Sequence, residues 1–322
     1  MDYRVLGRTG ARVSVLCLGC MNFGGPADEA ESRRILDRAF EAGVNFWDTA
    51  NVYTRQESER ILGRWFAERG SSARDQVFLA TKVHGRVGEG PNDYGNHRYH
   101  VMRQVEASLR RLQTDRIDLY YFHRPDPDTP VAEQVAVMDD LVRQGKIVYY
   151  GTSHYPAWMI MQGLWVADRS GRHPWVADQP RYSLIDRAIE LDIVPFCRAT
   201  GYALVPHSPL AGGFLTGKYQ RGEPAPEGTR LARQPNRAAE LRDEHWALLD
   251  RLVAVSRELG CTAGQAAIAW VLTRPFVTAS IIGPRTLEQL EDNLGALQVK
   301  LPDDAIRALD EVSAFAMQLP RT

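Results

Sequence analysis

The sequence predicts a closed (β/α)8 barrel, and three observations carry that expectation. Eight short apolar runs rich in β-branched and aromatic residues recur along the chain, eight amphipathic stretches alternate with them, and no G-x-G-x-x-G follows an early strand. Near-continuous apolar strands suit a parallel sheet buried on both faces. Eight strand–helix units close into a barrel more readily than they form an open doubly wound sheet, and the missing glycine motif weakens that alternative further. At 322 residues the chain fits one barrel domain over residues 1–322, with extra segments.

The strands are expected in order at VLCLGC (15–20), VNFWD (44–48), QVFLATK (76–82), IDLYYFH (117–123), KIVYYGTS (146–153), PWVADQ (174–179), YALVPHS (202–208) and TASIIG (278–283). The first intervening helix is EAESRRILDRAFEAG (29–43), where Ile35, Leu36, Ala39 and Phe40 share a face and Gly43 ends the turn. Further helical patterns cover 57–70, 98–113, 130–145, 156–171, 190–201, 262–274 and 286–297. Two segments, 238–260 and 303–313, read as helices outside the repeat, and the Gly-, Pro- and Arg-rich stretch 211–236 reads as a long rim loop that closes over a ligand.

Charge and composition exclude several classes. Lys and Arg number 39 against 40 Asp and Glu, so no global field favours a nucleic-acid partner. No apolar window is long enough to span a bilayer, and MDYRVLGRTG has no apolar signal core, which predicts a cytoplasmic protein without a membrane partner. Cys17 and Cys20 form a C-x-x-C, but their odd spacing in a strand sends them to opposite faces, as buried filler. His97 and His100 lack companion ligands, so no metal site is expected. The oligomeric state is left open, an oligomer being compatible with everything above.

Barrel active sites sit at the C-terminal ends of the strands. There, the second strand ends in Asp48 with Tyr53 in its loop, the third ends in Lys82 and the fourth in His123. A buried carboxylate needs a partner, and Lys82 on the neighbouring strand supplies one. Tyrosine, with an ordinary pKa of about 10, becomes a better acid beside an ammonium. The set reads as a general acid aimed at a polarised carbonyl, with Tyr53 as acid, Lys82 lowering its pKa, Asp48 holding Lys82 and His123 orienting the C=O. One such residue alone is ordinarily a cap or a rim residue; four on adjacent strand ends form a pattern. Phe23, Trp47, the segment 84–100 and the loop 211–236 are expected to line the substrate pocket.

These motifs resemble the aldo-keto reductase superfamily, in particular its aryl-alcohol-dehydrogenase-like and potassium-channel-β-like branch. YRVLGRTGARVSVLCLGCMNFGG (3–25) is similar to that branch's opening hairpin and first strand, and NFWDTANVY, FLATK and DLYYFHRPDPDTP are similar to its catalytic segments. The resemblance implies that Asp48, Tyr53, Lys82 and His123 take the family's tetrad positions. It also implies a nicotinamide cofactor lying across the barrel rim, with NADP(H) favoured over NAD(H). Ser153 and Gln179 would hold its carboxamide, and Ser208, Pro209, Leu210, Gly212 and Lys218 would wrap the pyrophosphate; Met21, Asp48, His154 and His207 are further implied cofactor contacts. Gly283, Arg285, Gln289 and Asn293 would face the adenosine end, with Asp292 a further implied contact, and Arg285 with Arg230 would take a 2′-phosphate. His154 stands where the family commonly has Asn, and His207 where Tyr or Trp stacks on the nicotinamide. The implied substrate is a small carbonyl compound: an aryl aldehyde, an α-dicarbonyl or a keto-sugar. Channel-associated relatives tend to lack the histidine found here at position 123, so the resemblance implies a reductase ahead of a cofactor-sensing regulatory subunit.

Overall fold

The computed structural model describes residues 1–233, 236 and 241–314. An antiparallel hairpin, β1 (Tyr3–Val5) and β2 (Arg12–Ser14), precedes eight parallel strands: β3 (Leu16–Gly19), β4 (Phe46–Asp48), β5 (Phe78–Val83), β6 (Ile117–Phe122), β7 (Ile147–Thr152), β8 (Ala177–Asp178), β9 (Ala203–Leu204) and β10 (Ser280–Ile282). Their order in the sheet is β10-β3-β4-β5-β6-β7-β8-β9. Thr278 N donates to Leu204 O at 2.8 Å and Ile281 N to Pro206 O at 2.9 Å, which joins the two ends of the sheet into a barrel. Strands β8 and β9 are shorter than the apolar runs that predict them. Pro174, Pro180 and Pro206 remove ladder donors at their flanks.

Alternation assigns the two faces. Leu6, Val13, Cys17, Phe46, Ala80, Leu119, Tyr121, Ala177, Ala203, Val205, Ala279 and Ile281 form the cluster inside the barrel, with Leu6 and Val13 of the hairpin closing its N-terminal end. Their sequence neighbours Leu16, Leu18, Trp47, Leu79 and Tyr120 face outward into the larger cluster under the helices. Cys17 is inside and Cys20 outside, both buried thiols, as their spacing predicts.

Helices Glu29–Glu41, Glu57–Arg69, Arg98–Leu112, Val131–Arg143, Ala157–Ser170, Ile193–Thr200, Ala263–Leu272 and Leu287–Gly295 occupy the predicted positions. Asp28 Oδ1 caps the first of these, accepting from Glu31 N at 2.8 Å, and Thr262 and Gln265 form a capping box on the seventh. Two more helices, Asp243–Glu258 and Asp303–Val312, lie outside the repeat; positions 238–240 of the first prediction fall outside the described residues. They pack with Ala263–Leu272 around a second core that includes Leu248, Leu252, Trp270 and Leu309. Within 211–236, the stretch Ala211–Thr216 coils into 3-10 turns broken by Gly212 and Gly213, and a single helical turn covers Arg230–Arg233.

Candidate active site

Strand parity selects what faces the barrel mouth. Phe46 points inward, so Asp48 does; Ala80 points inward, so Lys82 does; Tyr121 points inward and His123 follows two residues on. Asp48 is the Cα partner of Ala80, which puts Lys82 one diagonal step further along the neighbouring strand. The Lys82 ammonium is fully buried and donates to Asp48 Oδ1, to Thr49 O at 2.8 Å and to Tyr53 Oη at 3.3 Å. Its three N–H groups thus have three acceptors. Asp48 Oδ2 accepts from Gln179 Nε2 at 2.8 Å, and Ser153 Oγ donates to Gln179 O at 2.8 Å. Tyr53 Oη lies 3.4 Å from His123 Nε2. The structure therefore brings Asp48, Tyr53, Lys82 and His123 into one contiguous network.

Tyr53 reaches that network through an unusual turn. Thr54, Arg55 and Gln56 all have positive φ, at 47°, 54° and 74°, a conformation that costs non-glycine residues about 1–2 kcal/mol each. The surroundings hold it: Thr54 Oγ1 donates to Phe23 O at 2.6 Å and accepts from Ser58 N at 3.1 Å. Ser58 Oγ in turn donates to Cys20 O at 2.8 Å. Strain of this kind persists only where neighbours over-determine it.

Burial opposes the Lys82 ammonium, yet Asp48 and Tyr53 outweigh it and its pKa stands above the ordinary lysine value. Burial raises the Asp48 pKa, against the pull of Lys82 and Gln179. Tyr53 corrects an expectation. Lys82 does act to lower its pKa, but burial is larger, and the phenol stands above its usual value. His123 is pushed down to about 2 by burial and then by Lys82, Arg124, His154 and His84, so it is a neutral imidazole at physiological pH.

These groups open onto a cleft of about 750 Å3. Asp48, Tyr53 and His123 border it, with Lys82 behind them, and so does every residue nominated above for the cofactor: Met21, Ser153, His154, Gln179, His207–Leu210, Gly212, Lys218, Arg230, Gly283, Arg285, Gln289, Asp292 and Asn293. Gly212 and Gly213 adopt φ of 72° and 94°, and a Cβ at Gly213 would lie 2.8 Å from Lys218 Nζ. Arg285 Nη1 donates to Gly228 O at 2.9 Å, while its backbone N donates to Gln289 Oε1 at 2.9 Å. His154 and His207 meet Nε2 to Nε2 at 3.1 Å, and His207 Nδ1 lies 2.8 Å from Ser208 Oγ. Burial first, then neighbouring basic side chains, pushes His154 down to about 4 and His207 well below the usual histidine value.

Two expected pocket residues are not there. Trp47 and Phe23 are fully buried in the outer cluster; Trp47 sits one residue from the inward Phe46 and Asp48, so its indole faces the helices, where it packs edge-on to Trp65. Segment 84–100 does not border the cleft either. It folds on itself through Gly95 N donating to His84 O at 2.7 Å and Val87 N to Asp93 O at 2.9 Å. It is tied to the loop after β6 by Asn96 N donating to Asp126 Oδ2 at 2.7 Å, and ends in His97, which caps the helix Arg98–Leu112. Conversely, Asn22, Arg124, Arg181 and Thr216 line the cleft without having been singled out. The inward alternation Ala177, Gln179, Arg181 was a usable signal for one of them. Among the described residues no group of three or more His, Cys, Asp or Glu is placed to hold a metal ion, and no helix is long and apolar enough to cross a membrane.

Barrel, rim network and cleft together have the form of an oxidoreductase, and sequence comparison agrees. The profile described as "Aldo/keto reductase family" matches residues 15–314, and the chain belongs to that family. An uncharacterized oxidoreductase of Bacillus subtilis, YrpG, is 41% identical over 320 residues, which cover 97% of this chain and 96% of that protein. A probable voltage-gated potassium channel subunit beta from rice is 36% identical over 325 residues, covering 100% of this chain and 98% of the other. Its counterpart in Arabidopsis thaliana is 35% identical over 328 residues, covering 100% and 98%.

Proposed function

We propose that the protein is an NADPH-dependent reductase of aldehydes or ketones, with Tyr53 as the general acid. The observation that carries this reading is the chain of contacts Asp48–Lys82–Tyr53–His123 at the mouth of the cleft. The cleft residues suit the cofactor: glycines with positive φ allow close backbone approach, Lys218, Arg230 and Arg285 offer cations for phosphates, and Ser153 and Gln179 offer amide partners. A nicotinamide bound there would supply the hydride. Arg285 and Arg230 favour the 2′-phosphate of NADP(H) over NAD(H).

His123, neutral, orients the carbonyl by donating from Nε2, in the tautomer that carries its proton there. Tyr53 Oη accepts from Lys82, which directs its own O–H toward the carbonyl oxygen, where its proton goes as the C–H bond forms. The phenolate left behind is stabilised by the Lys82 ammonium, and Asp48 keeps that ammonium charged and aimed. Solvent reprotonates Tyr53 when the alcohol leaves.

Tyr53→Phe tests the assignment: turnover of an aldehyde panel should fall by about 100-fold or more, the scale of general acid catalysis, with NADPH binding by fluorescence titration unchanged. Turnover within a few-fold of the wild type would remove Tyr53 from the mechanism. The rice and Arabidopsis relatives, probable voltage-gated potassium channel subunits beta, favour a second reading, a cofactor-sensing channel subunit. Tight NADPH binding without turnover of any aldehyde or ketone would decide for it.

A further inference from the structure

Arg124 follows His123 directly at the end of β6 and borders the cleft beside His123 and Tyr53. Its side chain is exposed, and among the described residues no carboxylate pairs with it. The other arginine near this end, Arg181, has Asp186 Oδ2 at 2.9 Å from its Nε. Asp126, two residues along from Arg124, is committed elsewhere: it accepts from Asn96 N at 2.7 Å, from Thr129 Oγ1 at 2.7 Å and from Asp128 N at 3.1 Å. The cations acting on His123 are Lys82 and Arg124, and those acting on His154 are Arg124, Arg181 and Lys82, with no carboxylate among them. Lys82 is offset by Asp48 and Arg181 by Asp186, which leaves Arg124, among the described residues, as the cation beside the proton donor with no carboxylate partner.

The cofactor does not account for it. In the arrangement proposed above its phosphates go to Lys218, Arg230 and Arg285, whereas Arg124 belongs to the loop after β6, next to the carbonyl-orienting histidine.

We propose that Arg124 is a specificity-determining residue that binds an anionic group of the substrate, a carboxylate or a phosphate, carried on the same molecule as the carbonyl addressed by Tyr53 and His123. The proposal rests on the reductase reading of this site. A guanidinium presents parallel N–H donors to two oxygens of either anion, which fixes orientation as well as adding attraction. The anion takes no part in the bond changes: the carbonyl carbon gains a hydride and its oxygen gains the Tyr53 proton.

Matched substrates test this. With NADPH, kcat/KM is measured for 3- and 4-formylbenzoate against their methyl esters, and for glyceraldehyde 3-phosphate against glyceraldehyde. The wild type should prefer the charged member of at least one pair by about 10- to 100-fold, through KM, the range expected for a hydrogen-bonded charge pair. Which pair responds distinguishes carboxylate from phosphate, and added salt should erode the preference. Arg124→Gln should bring the ratio close to one, and Arg124→Lys should retain part of it, with unchanged circular dichroism for both. Turnover of both members of every pair without discrimination, or a ratio that survives Arg124→Gln, would overturn the anion site alone. Turnover of none would overturn the reductase reading and the anion site with it.

Discussion

Lys82 and Asp178 are both buried ionisable groups inside or beside the barrel, and they have opposite accommodations. Burying an ion costs several kcal/mol unless partners meet all its hydrogen-bonding capacity. Lys82 has that: a carboxylate, a carbonyl and a phenol. Asp178, fully buried at β8, accepts from Thr152 Oγ1 at 2.7 Å but, among the described residues, has no cation beside it. Burial holds its pKa up at about 7, and the hydrogen bonds from Thr152 and two backbone N–H groups do not offset that. The sign follows from linkage. A carboxyl raised from 3.8 contributes most to stability below pH 3.8, and that contribution is lost as the pH rises through about 7. Asp178→Asn should therefore help more at pH 8 than at pH 5, by about 2–3 kcal/mol at 1.36 kcal/mol per pH unit. Urea unfolding of both proteins at the two pH values checks this, since the histidine contributions cancel in the comparison. Parallel pH dependences would mean that Asp178 titrates like an ordinary aspartate.

The helix Glu57–Arg69 holds the strained turn that carries Tyr53, and its own anchoring is built from two features. Glu59, fully buried, accepts from Thr81 Oγ1 of β5 at 2.6 Å and from Arg111 Nε of the helix Arg98–Leu112 at 2.6 Å. Gly63, one turn later, lets those two helices touch: a Cβ there would lie 2.0 Å from the Arg111 carbonyl oxygen. Two effects compete in Gly63→Ala. Helix propensity favours alanine by about 1 kcal/mol, whereas overpacking costs about 1–3 kcal/mol. Packing should win because the obstacle is backbone, which cannot rotate aside. The expected outcome is a lower Tm and a reduced kcat, as the helices separate and shift the turn behind Tyr53. A Tm at or above the wild type would show that the crossing has slack.

At the scale of the whole barrel, what was legible in the sequence is what a period of two controls. Once Phe46, Ala80 and Tyr121 are inside, Asp48, Lys82 and His123 must reach the mouth, and Cys17 and Cys20 must part. The same rule turns Trp47 outward, so proximity in sequence to Asp48 was a poor guide to the pocket. The left-handed run Thr54–Gln56 contains no glycine to mark it, and Arg124 belongs to no pattern beyond its place after a strand. The segments proposed for the cofactor were nominated only by resemblance, because they come from widely separated parts of the chain: Ser153, His207–Lys218 and Gly283–Asn293, all of which border the cleft. That dispersal has a thermodynamic consequence. A dinucleotide in the cleft would tie those segments together and bind the folded state alone, adding about 2.7 kcal/mol at a concentration 100 times its Kd. A thermal-shift titration should show NADPH raising Tm by a few degrees, and NADH needing a higher concentration for the same rise because it lacks the phosphate for Arg285 and Arg230. Arg285→Gln should bring the two titrations together by weakening NADPH alone. Superimposable NADPH and NADH curves in the wild type would remove Arg285 from cofactor selection, while leaving the Tyr53 chemistry untouched.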